Sequence, residues 1–291
     1  MTIKINNLCI IGTGLIGGSF ALALKKAGVC GHITAAGRSE ETLQKAKQLG
    51  LIDSYHMNIA DAVKDADVVF VSVPLGAMQS VFEQINQGLL AAGNDKAIIT
   101  DAGSSKLRVQ QLAEAIFTDS SRFVAGHPIA GTENSGPQAA FAELYKNRRV
   151  ILTPVADTDQ DAIKTVTELW QATGAEVETM DAEHHDKVLA ATSHLPHLIA
   201  FGLVHCLENM EDIENVFRFA AGGFRDVTRI ASSDPVMWRD ICLNNREQIL
   251  DMLARYRTEM DMLYNALAES DGEKLKEVFE HAKQTRDKFT H

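Results

Sequence analysis

The chain has 291 residues, 45% hydrophobic and 23% charged, with a formal net charge of −11 at pH 7. That length fits two domains with a sizeable core, and the acidic balance argues against nucleic acid as a partner while leaving room for a local basic pocket for a small anion. The four cysteines, Cys9, Cys30, Cys206 and Cys242, are scattered without a Cys-x-x-Cys pair, so no metal site and no disulfide framework is expected. Residues 1–7 are polar and carry no export-signal pattern, and no apolar run approaches the roughly 18 residues of a membrane span, so a cytoplasmic protein with no membrane partner is expected.

Leu8-Cys9-Ile10-Ile11 is an apolar run that suits a buried parallel strand. It enters Gly12-Thr13-Gly14-Leu15-Ile16-Gly17, after which Ser19 to Ala27 reads as an Ala- and Leu-rich helix stopped by Gly28. Strand, Gly-x-Gly-x-x-Gly and helix in that order form the dinucleotide-binding pattern in the context it requires. Gly12 permits the tight turn, Gly14 lets backbone amides approach a pyrophosphate, and Gly17 allows close helix–strand packing. Thr13, Leu15 and Ile16 complete the loop, and the helix N-terminus offers unpaired N–H groups to the anion.

The second strand is His32-Ile33-Thr34-Ala35-Ala36. An acidic residue at its end would bond a free ribose 2′-hydroxyl, but the chain reads Gly37-Arg38-Ser39. A guanidinium pairs with a 2′-phosphate through parallel hydrogen bonds, and Ser39 adds a hydroxyl donor. NADP is therefore expected over NAD, with the nearby Glu40 keeping NAD as the alternative.

Helices are expected at 40–49, 59–64, 76–91, 106–117 and 159–173. Between them lie apolar strands ending before Pro74, at Thr100, before Gly126, at Thr153 and at Met180. This alternation predicts a doubly wound, mainly parallel sheet over residues 1–181. Ligands collect at the carboxyl ends of such strands, and Gly12, Arg38, Pro74, Ser104 and His127 all follow predicted strand ends. His127, between Gly126 and Pro128, is expected in a restricted loop, where a held imidazole suits proton transfer near neutral pH.

After residue 181 the strand signal disappears. Helices are expected at 182–208, kinked or broken at Pro196, then at 212–221, 235–268 and 272–288, and residues 182–291 read as an all-helical domain. His194 and His197 lie three apart on adjoining positions of one helix face. His184 and His185, with Glu183 and Asp186, read as a solvated polar cluster at a helix start. Arg225 and Arg229 follow the flexible Gly222-Gly223 pair and suit either a carboxylate clamp or a salt-bridged surface turn. Trp238-Arg239-Asp240 reads as packing plus a helix cap.

Taken together, the glycine loop, Asp101-Ala102-Gly103-Ser104, Gly126-His127-Pro128-Ile129-Ala130-Gly131-Thr132-Glu133, Ser193-His194-Leu195-Pro196-His197, the segment Gly222 to Ala231 and Trp238-Arg239-Asp240-Ile241 resemble the prephenate/arogenate dehydrogenase family of tyrosine biosynthesis over nearly the whole chain. The resemblance implies a Rossmann-type sheet domain followed by a helical substrate and dimerisation domain, and a homodimer. It implies oxidative decarboxylation of a cyclohexadiene with a ring C4 hydroxyl, a ring carboxylate and a side chain. His127 would accept the hydroxyl's proton, Ser104 would sit near that hydroxyl and the nicotinamide, and Arg229 would hold a substrate carboxylate. His197 would face the side chain, His194 would support that wall, and Glu133, with Thr132 beside it, would lie at the pocket mouth. The end at His291 leaves no room for an appended regulatory or mutase domain, so tyrosine is expected to inhibit only by competing at the active site.

Two other readings fit the glycine loop. A β-hydroxyacid-type dehydrogenase would need a helical-half lysine, for which Lys187 is the candidate. A non-enzymatic NADP sensor would leave the histidine and arginine set unexplained.

Overall fold

A computed structural model describes residues 3–132, 134–208 and 210–289. Six parallel strands, β1 (Ile5–Ile11), β2 (Cys30–Ala36), β3 (Ser54–His56), β4 (Val68–Val71), β5 (Ile98–Asp101) and β6 (Phe123–Val124), form a sheet in the order β3-β2-β1-β4-β5-β6. Chain order reverses between β1 and β4, which opens the crevice that such sheets use for ligands. A second sheet joins β7 (Gly126–Pro128), β8 (Arg149–Leu152) and β9 (Glu176–Thr179), with β7–β8 antiparallel and β8–β9 parallel.

Alternating side chains supply a core on each face of the six-stranded sheet. Leu8, Ile10 and Phe70 face one side, where Phe20 of helix Leu15–Ala27 stacks on Phe70 at 4.2 Å and meets Trp170 of helix Gln160–Ala172. Cys9, Ile11, Val69 and Val71 face the other, against Phe82, Ile85 and Val109. The near-continuous apolar runs in β1 and β4 follow from this burial on both faces. Trp238 and Ile241 of helix Pro235–Asn244 join the second core.

Contacts divide the chain into two compact units, Met1–Asn245 and Arg246–His291. The boundary read at 181/182 falls inside the first unit, because the helices from Ala182 to Asn244 belong with the sheet. The second unit is a pair of helices, Arg246–Ala268 and Gly272–Phe289.

Several expectations are corrected. His127 is not in a loop: it lies in β7 and pairs with Ile151 of β8, and Gly126 and Pro128, which look like strand breakers, are the other two residues of β7. Pro196 does not break its helix. Residues Ala190–His194 widen into a π turn just ahead of it, and the helix resumes at Leu195. The helix read at 235–268 is interrupted at Asn245, and that at 212–221 shrinks to Ile213–Arg218. Gly222-Gly223, read as a flexible pair, open helix Gly222–Thr228. The cap of helix Pro235–Asn244 is Asp234, whose Oδ1 accepts from Met237 N–H at 2.7 Å. The helical run Ala182–Glu208 contains no unbroken apolar stretch of membrane-span length, although by length and mean composition alone it could cross a membrane. This run carries buried His185, Asp186 and His194, each hydrogen-bonded within the fold.

Candidate active site

The carboxyl ends of β1 and β4 build a cradle. Gly12 has φ of 97°, and a Cβ there would lie 2.5 Å from the Ser72 carbonyl oxygen. A Cβ on Gly17 would lie 2.0 Å from the Gly12 carbonyl oxygen, so only glycine lets the helix sit this close to the turn. Ser72 Oγ fastens the turn by donating to Gly12 O at 2.7 Å. Gly14 differs: nothing lies within 4 Å of where its Cβ would be. It caps helix Leu15–Ala27 with no side-chain hydrogen bond and no acidic residue in the first turn. An open backbone at an uncapped helix N-terminus is what a pyrophosphate needs, so these residues fit a dinucleotide. Thr13 Oγ1 is buried without a partner among the described residues, Leu15 is buried, and the Ile16 carbonyl is held by Tyr145 Oη at 2.6 Å. At the adjacent strand end Gly12 N–H donates to Ala36 O at 3.1 Å, which brings the turn beside Gly37 and the exposed Arg38. Ser39 Oγ accepts from Thr42 N–H at 3.2 Å as a helix cap, leaving its own proton to donate.

Beyond β5 the site becomes a buried polar chain. Asp101 and Lys106 are both fully buried and paired, Nζ to Oδ2 at 2.5 Å. Lys106 Nζ also donates to Gly126 O at 2.7 Å, and Gly126 N–H donates to Asp101 Oδ1 at 3.1 Å. Together these bonds pin the start of β7, and with it His127. Desolvation pushes the Lys106 ammonium below its ordinary range, against the pull of Asp101. Ser104, half-buried, lies in the turn between this pair, where Gly103 N–H bonds Asp101 Oδ2.

His127 is 8% exposed. Its Nδ1 lies 2.8 Å from His185 Nε2, and His185 Nδ1 lies 2.8 Å from Asp186 Oδ1. Asp186 also accepts Lys106 N–H at 2.7 Å and Leu107 N–H at 3.0 Å, capping helix Leu107–Ile116. The solvated cluster read from the sequence is therefore half wrong. His184 and Glu183 are exposed, but His185 and Asp186 are 0% and 2% exposed. A signal existed, since Ala182, His185, Asp186, Leu189 and Ala190 form the helical spacing of a core-facing stripe. Desolvation, then the neighbouring charges of His185, Lys106 and His194, push His127 well below the ordinary imidazole pKa. His127 is thus a neutral imidazole at pH 7.

The wall continues through the helical segment. His194 is buried, Nδ1 accepting from Asn245 Nδ2 at 3.0 Å, and burial lowers its pKa to about 4. Asn245 Nδ2 also donates to Asp186 O at 2.8 Å, tying this wall to the His185 pair. His194 Nε2 has no partner among the described residues. His197 stacks on Trp238 at 3.6 Å, and its Nδ1 meets the Ser193 carbonyl at 2.9 Å. Burial lowers the His197 pKa, and Arg229, near enough to act on it, lowers it further. His194 and His197 thus both face Trp238, their rings 6.1 and 3.6 Å from it. Thr132 lies in an exposed loop, its Oγ1 accepting from Asn134 N–H, and Glu133 lies outside the described residues. Pro74 is exposed at the start of the turn Leu75–Ala77, where Gly76 N–H donates to Asp240 Oδ2 at 3.2 Å. Lys187 is exposed. Among the described residues no group of three or more His, Cys, Asp or Glu side chains is placed to hold a metal.

A glycine cradle at the switch point of a parallel sheet, with a neutral buried imidazole beyond the next strands, defines the class as a Rossmann-type dehydrogenase with a helical companion segment. Residues 20–179 match the family model described as prephenate dehydrogenase, nucleotide-binding domain, and residues 181–281 match prephenate dehydrogenase, dimerization domain. The cyclohexadienyl dehydrogenase of Zymomonas mobilis is 39% identical over 96% of this chain and 94% of its own length. The prephenate dehydrogenase of Bacillus subtilis is 38% identical over 97% of this chain and 76% of its own. The solved prephenate dehydrogenase of Aquifex aeolicus, in complex with hydroxyphenyl propionate and NAD+, superposes with a TM-score of 0.91 at 36% identity over 99% of each chain. The chain belongs to the prephenate dehydrogenase family.

Proposed function

We propose that this protein catalyses the oxidative decarboxylation of prephenate, L-arogenate or both, to 4-hydroxyphenylpyruvate and L-tyrosine respectively, with NADP as acceptor. The observation that carries this reading is the buried His127, held at Nδ1 by His185 and kept neutral by desolvation, beyond the glycine cradle. The names of the Zymomonas and Bacillus relatives support the reaction.

The glycine loop, with Arg38, Ser39, Pro74 and Ser104, would hold the dinucleotide. Bound, its nicotinamide supplies the acceptor for the hydrogen leaving ring C4 with its electron pair. Arg229 pairs with a substrate carboxylate, and His197, braced by Trp238, faces the side chain. His127 Nε2 takes the proton of the C4 hydroxyl as the carbon becomes a carbonyl. The ring carboxylate then leaves as CO2, its bonding electrons aromatise the ring onto that oxygen, and the proton returns to give the phenol. Gains of CO2 and aromaticity make the step effectively irreversible.

NADP is favoured because Arg38 stands where an NAD site would place an acid. We further take the chain as a cytoplasmic homodimer that divides functionally near 181/182, which the dimerization-domain match supports. Nicotinamide absorbance on adding prephenate or L-arogenate, with NADP and NAD in parallel, tests the whole reading. Reduction of neither dinucleotide with either substrate would overturn it, and a side-by-side kcat/KM comparison assigns the substrate.

A further inference from the structure

We infer that His185 and Asp186 are positioning residues that select the tautomer of His127, leaving its Nε2 unprotonated and free to take the substrate's proton. This deepens the reading of His127 as the base and rests on it. Both carboxylate oxygens of Asp186 receive backbone donors, Lys106 N–H at 2.7 Å and Leu107 N–H at 3.0 Å. A backbone N–H has no second protonation state, so these bonds hold the carboxylate in place as an acceptor. His185 Nδ1 lies 2.8 Å from Oδ1, so it carries the proton of that bond. A neutral imidazole has one N–H, which makes His185 Nε2 an acceptor. His127 Nδ1, 2.8 Å away, must then be the donor, and the lone pair falls to His127 Nε2.

The pieces of this chain are fixed independently of one another. Asp186 is locked by the helix that starts at Leu107 and by Asn245 at its carbonyl. His127 is locked by the pairing of β7 with β8 and by the Lys106–Gly126 bond. His185 is fully buried between them, so neither ring can turn over without breaking a buried hydrogen bond. Free in solution, an imidazole samples both tautomers. Here one is imposed from a carboxylate two hydrogen bonds away, the role that the buried aspartate plays behind the histidine of a serine-protease triad.

The test compares His185→Phe, His185→Gln and His127→Asn. Phenylalanine keeps an aromatic ring in the space but cannot accept from His127. Its kcat is expected to fall by about 10²–10⁴, the range of general-base catalysis, with KM for substrate and dinucleotide within about threefold. Glutamine, whose amide oxygen can still accept, is expected to regain about tenfold or more of that loss. In 15N-histidine-labelled wild-type protein, with His127→Asn for assignment, Nδ1 of His127 is expected to be the protonated nitrogen and Nε2 the pyridine-like one. If His185→Phe turns over within about threefold of wild type while His127→Asn loses about 10² or more, the relay is wrong and the base stands. If His127→Asn itself turns over like wild type, the base reading fails and the relay with it. Should His185→Phe not fold, the nitrogen spectrum decides alone, and a protonated Nε2 on His127 overturns the inference.

Discussion

At the scale of single residues, the protonation state of His127 governs the proposed chemistry. Its pKa is lowered, chiefly by burial and then by His185, Lys106 and His194. A base must be neutral, and a lowered pKa keeps it neutral to more acidic pH. The kcat profile is therefore expected to stay flat from neutral pH to below about 6.5 and to fall only at lower pH. An acid limb centred at or above 6.5 would show that another group titrates. Arg229→Ala removes one charge-assisted carboxylate pair and is expected to raise substrate KM far more than it lowers kcat. An unchanged KM would move that role to another residue. For Arg38, replacement by Asp is expected to cut kcat/KM with NADP by about 10- to 100-fold, from the roughly 1.5–3 kcal/mol of a hydrogen bond to a charged group, and to spare NAD. Equal effects on both dinucleotides would remove Arg38 from the 2′-phosphate. Residue chemistry was also where the sequence was least complete. His127, His197 and Arg229 stood out by their motifs, but His185 and Asp186 looked like surface polar residues because composition outweighed their helical spacing. Nothing in the sequence marked Lys106 as fully buried, since its burial depends on Asp101 and Gly126 converging from separate strands.

At the scale of elements, the glycine loop separates packing from binding. Gly17→Ala drives a methyl onto the Gly12 carbonyl and is expected to destabilise the fold by at least about 1–3 kcal/mol. Gly14→Ala meets open space, so stability is expected to change by less than about 1 kcal/mol, while dinucleotide KM rises because the methyl stands where the pyrophosphate approaches. Thermal unfolding and dinucleotide titration of the two variants check this, and equal loss of stability in both would contradict it. The wall helix carries a pH signature. His194 has a folded pKa of about 4 against an ordinary 6.5, so the unfolded chain binds more protons between those values. Stability is fully present above about pH 6.5 and is lost as pH falls towards 4, by about 3 kcal/mol at 1.36 kcal/mol per unit. Urea midpoints across that range, in wild type and His194→Gln, measure it, and a variant with the same pH slope as wild type would refute it. Elements themselves were largely legible, because strand and helix periods differ. The exceptions are β7, whose Gly126 and Pro128 lack strand propensity and depend on the pairing with β8, and the π turn before Pro196.

At the scale of the molecule, alternation of strands and helices made the doubly wound sheet readable, because each apolar run had to be buried on both faces. The helices from Ala182 to Asn244 are helical in composition, and their contacts place them in the same compact unit as the sheet. The run Ala182–Glu208 buries only 28% of its most apolar window within the chain, which suits a helix covered by a second copy. Sedimentation is expected to give twice the chain mass, and a monomer at assay concentration would contradict the proposed dimer.

The most direct test is the turnover number of His127→Asn at saturating substrate and dinucleotide. Loss of about 10²–10⁴ in kcat with little change in KM is expected if this imidazole takes the hydroxyl proton. A kcat close to wild type would mean that the proton leaves by another route and that the site has been assigned to the wrong group.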